Sequence, residues 1–374
     1  MIKRKLEDII KTKFDGKKAI IVLGPRQTGK TTLLKKIASE KGEYLYLTGD
    51  DSTTRMSFEN ANTADLKQII GKSDIVFIDE AQRIKDIGLK LKIIIDNFMP
   101  QVLLVSGSSA LELASEINEP LTGRKWEYML YPISWEELND YTNYITSLQQ
   151  LEQRMIFGFY PDVMVNTGDE VEILKQLTSS LLYKDLLSYG GIKKPDILDK
   201  LLRALALQIG NEVSFNELAN LVQVDRKTVQ TYIDLLEKAY VIFKLEPFSR
   251  NIRSEISTGR KIYFYDNGIR NALISNYNKL ELRNDTGALW ENFIIAERRK
   301  FNEYHRIFAN TFFWRTTRQQ EIDYIEEREG KLFAFEFKWN MNKKVKFPNN
   351  FLENYSNIEI KIIHRENFHE FILP

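Results

Sequence analysis

Eight residues constrain this chain more than any others. Gly24 to Thr31, reading GPRQTGKT, stand between the apolar run Ala19 to Leu23 and a helical pattern that opens at Thr32-Leu33-Leu34. The order predicts strand, glycine loop, helix. In that setting Gly24-x4-Gly29-Lys30-Thr31 is a phosphate-binding loop: its glycines let backbone N–H groups converge on phosphate oxygens, and the new helix turns its positive end toward the same point. Lys30 is expected to reach the β and γ phosphates and the Thr31 hydroxyl to help hold Mg²⁺. Gly24, Pro25, Arg26, Gln27, Thr28, Gly29 and Thr32 complete the expected cradle.

A second strand carries acid to the same place. Ile75-Val76-Phe77-Ile78 is an apolar run of buried-strand type that ends in Asp79-Glu80, a Walker B pattern. In open α/β sheets the crevice beyond the carboxyl ends of the strands is where ligands bind. Asp79 is therefore expected to act on Mg²⁺, directly or through water, and Glu80 to polarise the water that attacks the γ phosphate. A third run, Val102 to Val105, leads into Ser106-Gly107-Ser108-Ser109, where Ser106 or Ser108 could sense the γ phosphate or simply form the turn. Leu121-Thr122-Gly123-Arg124 offers an arginine after a loop glycine. Arg124 either addresses a phosphate, within its own subunit or across a boundary, or is a surface side chain.

With 374 residues, 43% of them hydrophobic, the chain has material for two or three domains. The absence of cysteine excludes disulfides and thiolate zinc sites, and His305, His364 and His369 lack metal-ligand spacing. A net charge of +1 neither requires nor excludes nucleic acid. The basic start Met1 to Lys5 runs into Leu6-Glu7-Asp8 rather than an apolar core, and no run reaches membrane-spanning length, so a cytoplasmic location without a membrane partner is expected.

The periodicity divides the chain into four expected domains. Residues 1–132 alternate strands and helices, the rhythm of a parallel sheet. Residues 133–208 read as a helical lid against the nucleotide domain, interrupted by Gly158-Phe159-Tyr160-Pro161. Residues 209–266 open with a capping box, Ser214-x-x-Glu217, before a short apolar helix, and Asp225 is placed to cap a second helix running to about Lys238. That second helix turns Val229, Tyr232, Ile233 and Leu236 inward and leaves Arg226, Lys227, Gln230 and Thr231 near its exposed start, where a recognition helix makes its contacts. Strands Tyr240 to Leu245 and Lys261 to Tyr265, around a loop with Arg250, Arg253 and Arg260, make the segment a winged helix. Arg226, Lys227, Gln230 and Arg253 are the candidate nucleic-acid contacts, with docking of a protein as the other reading.

Residues 267–374 begin with a helix over about Gly287 to Lys300, then strands at Thr311 to Arg315, Glu321 to Ile325 and Leu332 to Trp339, with Glu329-Gly330 as a hairpin turn. Alternation in Phe333 to Lys338 sets three phenylalanines on one face and Glu336 with Lys338 on the other. Folding the hairpin about Glu329 brings Asp323 beside Glu336. Two carboxylates and a lysine so arranged can bind Mg²⁺ and position a water for phosphodiester attack; an antiparallel strand with one solvated face shows the same pattern.

Together these motifs resemble an AAA+ superfamily ATPase. The resemblance is stronger to the prokaryotic group whose chains read GPRQxGKT, a DEAQ strand end, a GSSA strand end, an LxGR element and a GxYPxV loop. Here they are Gly24 to Thr31, Ile75 to Gln82, Gly107 to Ala110, Leu121 to Arg124 and Gly158 to Val163, in order over most of the chain. The resemblance implies a winged helix and then a C-terminal domain of uncharacterised role similar to PD-(D/E)xK nucleases, a restriction-endonuclease-like α/β fold. That pattern adds Glu291, on the helix, to Asp323 and Glu336 as metal ligands, with Lys338 completing the catalytic set. The expected function is Mg²⁺-dependent ATP hydrolysis linked to nucleic-acid binding, DNA ahead of RNA, with metal-dependent phosphodiester cleavage by the C-terminal domain left open. The alternative is an ATP-dependent switch whose nuclease-like fold only docks a protein partner or a second copy of the chain.

Overall fold

The computed structural model describes residues 2–14, 16–107, 117, 120–180, 194–249, 259–316, 319–342 and 345–374. These fall into two compact units, the first running to Ile133 and including Lys238–Tyr240, the second comprising the remainder from Ser134 to Pro374. Arg250 and Arg253, and Ser108 to Ala110 of the third strand end, lie outside the described residues.

The first unit contains α1 (Lys5–Lys11), β1 (Ala19–Leu23), α2 (Lys30–Lys41), β2 (Leu45–Thr48), α3 (Ser52–Glu59), α4 (Thr63–Ile70), β3 (Ile75–Asp79), α5 (Ile87–Phe98), β4 (Val102–Gly107) and β5 (Lys125–Met129). Every residue of β1 and β3 is buried, as their unbroken apolar runs require of strands covered on both faces. The sheet is parallel throughout, in the order β2-β3-β4-β1-β5. Leu91 and Ile94 of α5 and Leu66 and Ile70 of α4 pack on Ile21, Val76, Ile78 and Leu103 of the sheet. The α4 start is secured by a reciprocal cap, Asn62 accepting from the Asp65 amide and Asp65 from the Asn62 amide. Because all strands point one way, the glycine loop after β1, Asp79-Glu80 at the end of β3 and Ser106 near the end of β4 share one edge. The placement of β4 between β1 and β3 puts Ser106 between the other two.

Arg124 lies at the opposite edge. Its carbonyl accepts the Ala19 amide at 3.0 Å, and Ala19 pairs with Lys125 at the start of parallel strands β1 and β5. The loop begins five residues further on, about 17 Å along the strand at ~3.3 Å per residue. Of the readings open to Arg124, action on its own subunit's phosphate is therefore ruled out.

The second unit begins with helices α6 (Trp135–Tyr141), α7 (Tyr144–Gln149), α8 (Leu151–Phe157), α9 (Pro161–Val165), α10 (Glu170–Ser180) and α11 (Pro195–Leu207). It continues through β6 (Glu212–Val213), α12 (Phe215–Val222), α13 (Arg226–Lys238), β7 (Ile242–Pro247), β8 (Arg260–Phe264), α14 (Asn267–Leu273) and α15 (Thr286–Tyr304). It closes with β9 (Asn310–Arg315), β10 (Glu321–Arg328), β11 (Lys331–Lys338), α16 (Asn349–Asn354), β12 (Ile358–His364) and α17 (His369–Ile372). Of the expected capping box the Ser214 half is present, its Oγ accepting from the Glu217 amide, and Asp225 Oδ1 accepts from the Thr228 amide as expected.

Three expectations are corrected here. The helices of residues 134–180, read as a lid of the nucleotide domain, build the second unit's own interior. Trp135 packs edge-on against Phe159, Phe293 and Phe368, and its amide donates to Glu297 of α15 at 2.6 Å. Asn267 and Asn271 of α14 reach back to the carbonyls of Met155 and Ile156 at the end of α8. The Gly158 loop belongs to the same joint. At Gly158, with φ of 73°, a Cβ would fall on the Asp266 carboxylate, which accepts the Phe159 amide at 2.7 Å and caps α14 through Gly268.

Next, the boundary expected at 266/267 cuts a single sheet. Its order is β12-β11-β10-β9-β7-β8-β6, and β7 joins β9 in parallel through Glu246–Phe312 and Pro247–Phe313. Finally, β11 is covered on both faces rather than one. Phe335 and Phe337 pack against Phe371, while Leu332 and Ala334 lie in a cluster with Trp314, Phe347 and Phe351. Glu336 is thereby only 7% exposed. The hairpin itself turns where expected, with Glu329 and Gly330 both at positive φ.

Candidate functional site

The loop after β1 owes its shape to backbone that only glycine tolerates. Gly24 has φ of 151°, and a Cβ there would overlap the carbonyl oxygen of Leu130, whose own amide is fixed to Leu23 at 2.8 Å. Gly29, at φ of 91°, is the N-cap of α2; a Cβ there would meet nothing nearer than Arg4 Nη1 at 4.0 Å. Thr28 is buried and its hydroxyl donates to the Pro25 carbonyl at 2.9 Å, closing the loop on itself. Lys30 Nζ donates to the carbonyls of Gly24 at 2.9 Å and Pro25 at 2.7 Å. Pro25 is buried, Arg26 half-buried, Gln27 exposed at φ of 60°, and Thr32 exposed on α2.

Three hydroxyls converge on Asp79. Thr31 Oγ1 lies 3.0 Å from both carboxylate oxygens, Tyr46 OH donates to Oδ2 at 2.9 Å, and Ser106 Oγ donates to Oδ1. Burial, then the Asp79 carboxylate it bonds, push the Tyr46 hydroxyl up to about 12, so it stays a donor. Ser106 also accepts the Glu80 amide at 3.3 Å, linking the strand ends of β3 and β4. Glu80 sits in left-handed backbone, φ 46°, and its Oε2 accepts from Gln82 Nε2 at 2.6 Å. Hydroxyl and carboxylate oxygens at this edge are hard donors of the type Mg²⁺ takes, and Gly29 leaves the loop face clear, so the residues fit a triphosphate with Mg²⁺.

Two participants carry no sequence signal of their own. Arg4, before α1, is buried, and its guanidinium spans the carbonyls of Thr28 at 2.7 Å and Tyr131 at 2.6 Å. Tyr46 is one aromatic residue in a short strand until β2 pairs with β3 and sets it beside Phe77. Arg124, in contrast, forms a two-pronged pair with Asp96, Nε to Oδ1 at 2.6 Å and Nη2 to Oδ2 at 3.2 Å.

In the second unit the structure brings Asp323, Glu336, Lys338 and Glu291 into one cluster. The β10–β11 register, with Tyr324 opposite Phe335, continues to set Asp323 opposite Glu336. Lys338 Nζ bridges Glu336 at 2.7 Å and Asp323 at 3.2 Å, and Asp323 also accepts the Phe337 amide at 2.8 Å. Glu291 of α15 accepts from Tyr263 OH at 2.6 Å and pairs with Lys261 Nζ at 3.0 Å; Lys261 also pairs with Glu321. Burial, reinforced by the charge of Asp323, pushes Glu291 and Glu336 each up to about 7, against the pull of Lys261 and Lys338 respectively. Burial alone would lower both lysines, but their carboxylate partners outweigh it and raise them.

The expected metal does not fit this arrangement. Carboxylate oxygens suit Mg²⁺ in kind and Lys338 stands beside Asp323 and Glu336 as the expected set has it, yet Lys261, which that set does not include, holds Glu291, and among the described residues no three Asp, Glu or His side chains are arranged to hold an ion. The metal role expected of Glu291, Asp323 and Glu336 is therefore not matched by a ready ligand geometry among the described residues. Arg226, Lys227 and Gln230 are exposed at the start of α13, as expected. No helix among the described residues is long and apolar enough to cross a membrane.

Comparison with known proteins divides the chain in three. Residues 16–139 match the AAA domain, residues 148–286 a domain of unknown function (DUF8612), and residues 286–369 another domain of unknown function (DUF4143). An uncharacterized protein of Mycobacterium tuberculosis is 26% identical over 331 residues, covering 85% of this chain and 70% of its own length. One of Methanocaldococcus jannaschii is 24% identical over 348 residues, covering 86% and 75%. Among solved structures, a Walker-type ATPase of Pyrococcus abyssi aligns at 16% identity and a TM-score of 0.49, over 72% of this chain and 94% of that one. AMPPCP-bound DnaA from Aquifex aeolicus aligns at 16% identity and a TM-score of 0.31, over 62% and 85%. The match over residues 16–139, together with the parallel sheet and the loop at its carboxyl edge, makes this region a P-loop domain of AAA type.

Proposed function

We propose that this chain binds ATP with Mg²⁺ at Gly24–Thr31 and hydrolyses it, and that the nucleotide governs what the second unit binds. The observation that carries the reading is the convergence of the Thr31 hydroxyl and Ser106 on Asp79 beside Lys30. Mg²⁺, when bound, draws charge from the phosphate oxygens. The chain's own parts then have separate tasks. Loop amides and Lys30 hold the phosphates, Thr31 and Asp79 offer oxygens to the cation, and Glu80, steadied by Gln82, takes a proton from the attacking water.

The test is steady-state phosphate release by wild type, Lys30→Ala and Glu80→Gln, with nucleotide affinity measured alongside. Expected are multiple turnovers in wild type, lost binding in Lys30→Ala, and retained binding with at least about a hundredfold slower turnover in Glu80→Gln, the scale on which general base catalysis contributes. Turnover in Glu80→Gln equal to wild type would overturn the assignment.

For the second unit, the reading is a nucleic-acid-binding module of winged-helix type. In its support, α12 and α13 are followed by the antiparallel pair β7–β8, and a cavity of about 550 Å³ beside Arg226 is also lined by Arg260 and Arg315. Arg260 and Arg315 are paired with Glu246 and Glu212, so Arg226 and Lys227 are the contacts expected to weaken DNA binding when changed to Ala. Cleavage is left out of the proposal, because Lys261 adds a second ammonium group, between Glu291 and Glu321.

A further inference from the structure

Lys261 is an unusual residue to find where it is. It belongs to β8, outside residues 286–369 that match the second domain of unknown function, yet its ammonium ends inside the acidic cluster which that stretch builds. The side chain is 1% exposed. Its ammonium contacts carboxylates from two further elements, Glu291 of α15 and Glu321 of β10, and lies 5.7 Å from the centre of the Phe313 ring. Tyr263, two residues along β8, turns to the same side and donates to the same Glu291 oxygen. Lys338 plays the matching part for Asp323 and Glu336.

Four carboxylates, Glu291, Glu321, Asp323 and Glu336, are thus served by two ammonium groups delivered by strands on either side. Carboxylates held this close and this deep need a counter-charge, and a lysine tethered to the backbone supplies it at no cost in capturing an ion from solution. A divalent ion entering beside Lys261 would meet a fixed positive charge in a poorly screened interior, where repulsion between like charges is strongest.

We propose that Lys261 is a built-in counter-cation that takes the place of a metal ion in the cluster, closing it to divalent cations, and that removing its charge opens a Mg²⁺- or Mn²⁺-binding site on Glu291, Asp323 and Glu336. The inference does not depend on ATP chemistry. It makes the second unit a nuclease-like framework held in a metal-free form by the hairpin that precedes it.

The experiment uses the full chain without nucleotide and Mn²⁺ as probe, with free Mn²⁺ counted by electron paramagnetic resonance and melting temperature followed in parallel. Wild type, Asp323→Asn, Lys261→Met and the double variant are compared; any Mn²⁺ held by the first unit is common to all four. Expected are identical Mn²⁺ uptake in wild type and Asp323→Asn and no shift in the melting temperature of either on adding Mn²⁺, whatever the two melting temperatures are without it. Lys261→Met should gain one Mn²⁺ per chain, bound at least tenfold tighter than any uptake by wild type, and be stabilised by it; the double variant should lose both effects. Mn²⁺ uptake by wild type that disappears in Asp323→Asn would overturn the proposal, as would a folded Lys261→Met that gains no Mn²⁺. If Lys261→Met does not fold, the wild-type pair decides alone: Asp323-dependent uptake overturns the proposal and its absence supports it.

Discussion

Arg4 makes the sharpest test of how the nucleotide loop is held. It lies twelve residues before the matched AAA region begins, yet its guanidinium bridges the Thr28 and Tyr131 carbonyls at 2.7 and 2.6 Å, and it is 7% exposed. Arg4→Ala removes two hydrogen bonds from a charged donor, each worth about 1.5–3 kcal/mol, and leaves two buried carbonyls without them. Because one side chain makes both, the losses do not add fully, and about 3 kcal/mol is the working figure. For a unit of this size that corresponds to roughly a 10 °C fall in melting temperature. The Thr28 end of the loop also loses its external anchor, so affinity for a fluorescent ATP analogue should drop about tenfold, equivalent to ~1.4 kcal/mol. Arg4→Lys keeps the charge but offers a single ammonium that cannot span both carbonyls, and should fall between the two. The assays are thermal unfolding by circular dichroism and equilibrium titration. An Arg4→Ala protein that melts within about 2 °C of wild type, less than 1 kcal/mol in a unit of this size, and binds nucleotide unchanged would refute the reasoning.

Two further outcomes follow from geometry already described. Arg124→Ala should hydrolyse ATP at the wild-type rate at dilutions where the chain is monomeric, because Arg124 lies at the far edge of the sheet paired with Asp96; a rate loss there, at constant nucleotide affinity, would contradict its position. If Arg124 acts across a subunit boundary, loss appears only at high concentration and is relieved by mixing with Glu80→Gln. Separately, Glu291 and Glu336 hold their protons to about pH 7 when folded, while an unfolded glutamate releases its own near 4.5. The folded state therefore binds more protons between these values, and resistance of the second unit to urea should fall as pH rises from about 4.5 to 7. The charged and titratable groups facing them are Lys261, Tyr263, Glu321, Asp323 and Lys338, and Glu291→Gln should flatten the slope. A stability that rises over that interval would refute the assignment.

The parts legible in the amino-acid order were those governed by local chemistry. The glycine loop needs φ values that only Gly24 and Gly29 tolerate, the caps at Ser214 and Asp225 act within three residues, and the Glu329-Gly330 turn fixes its own register. What stayed hidden depends on which distant residues meet. Alternation in β11 reads as one wet face, but α16 and its neighbours cover that side as well, so Glu336 is buried. For Arg124 the order leaves phosphate contact and a surface position both open, because spacing along a chain says nothing about which end of a parallel strand it occupies. Nothing in the local order marks Lys261 or Arg4; only the folded chain gives each its partners 30 or more and 24 or more residues away.

The pairing of Glu246 and Pro247 with Phe312 and Phe313 bears on how such chains can be divided. Two stretches that match separate families share one hydrogen-bonded sheet, and the later stretch borrows its counter-charge from the earlier. A fragment starting at residue 267 would expose β9 as a bare, ladder-ready edge and strand Glu291 and Glu321 without Lys261, inviting self-association. The two stretches fold as one body, so an exchange of either between relatives succeeds only if the strand edge and the lysine travel with it.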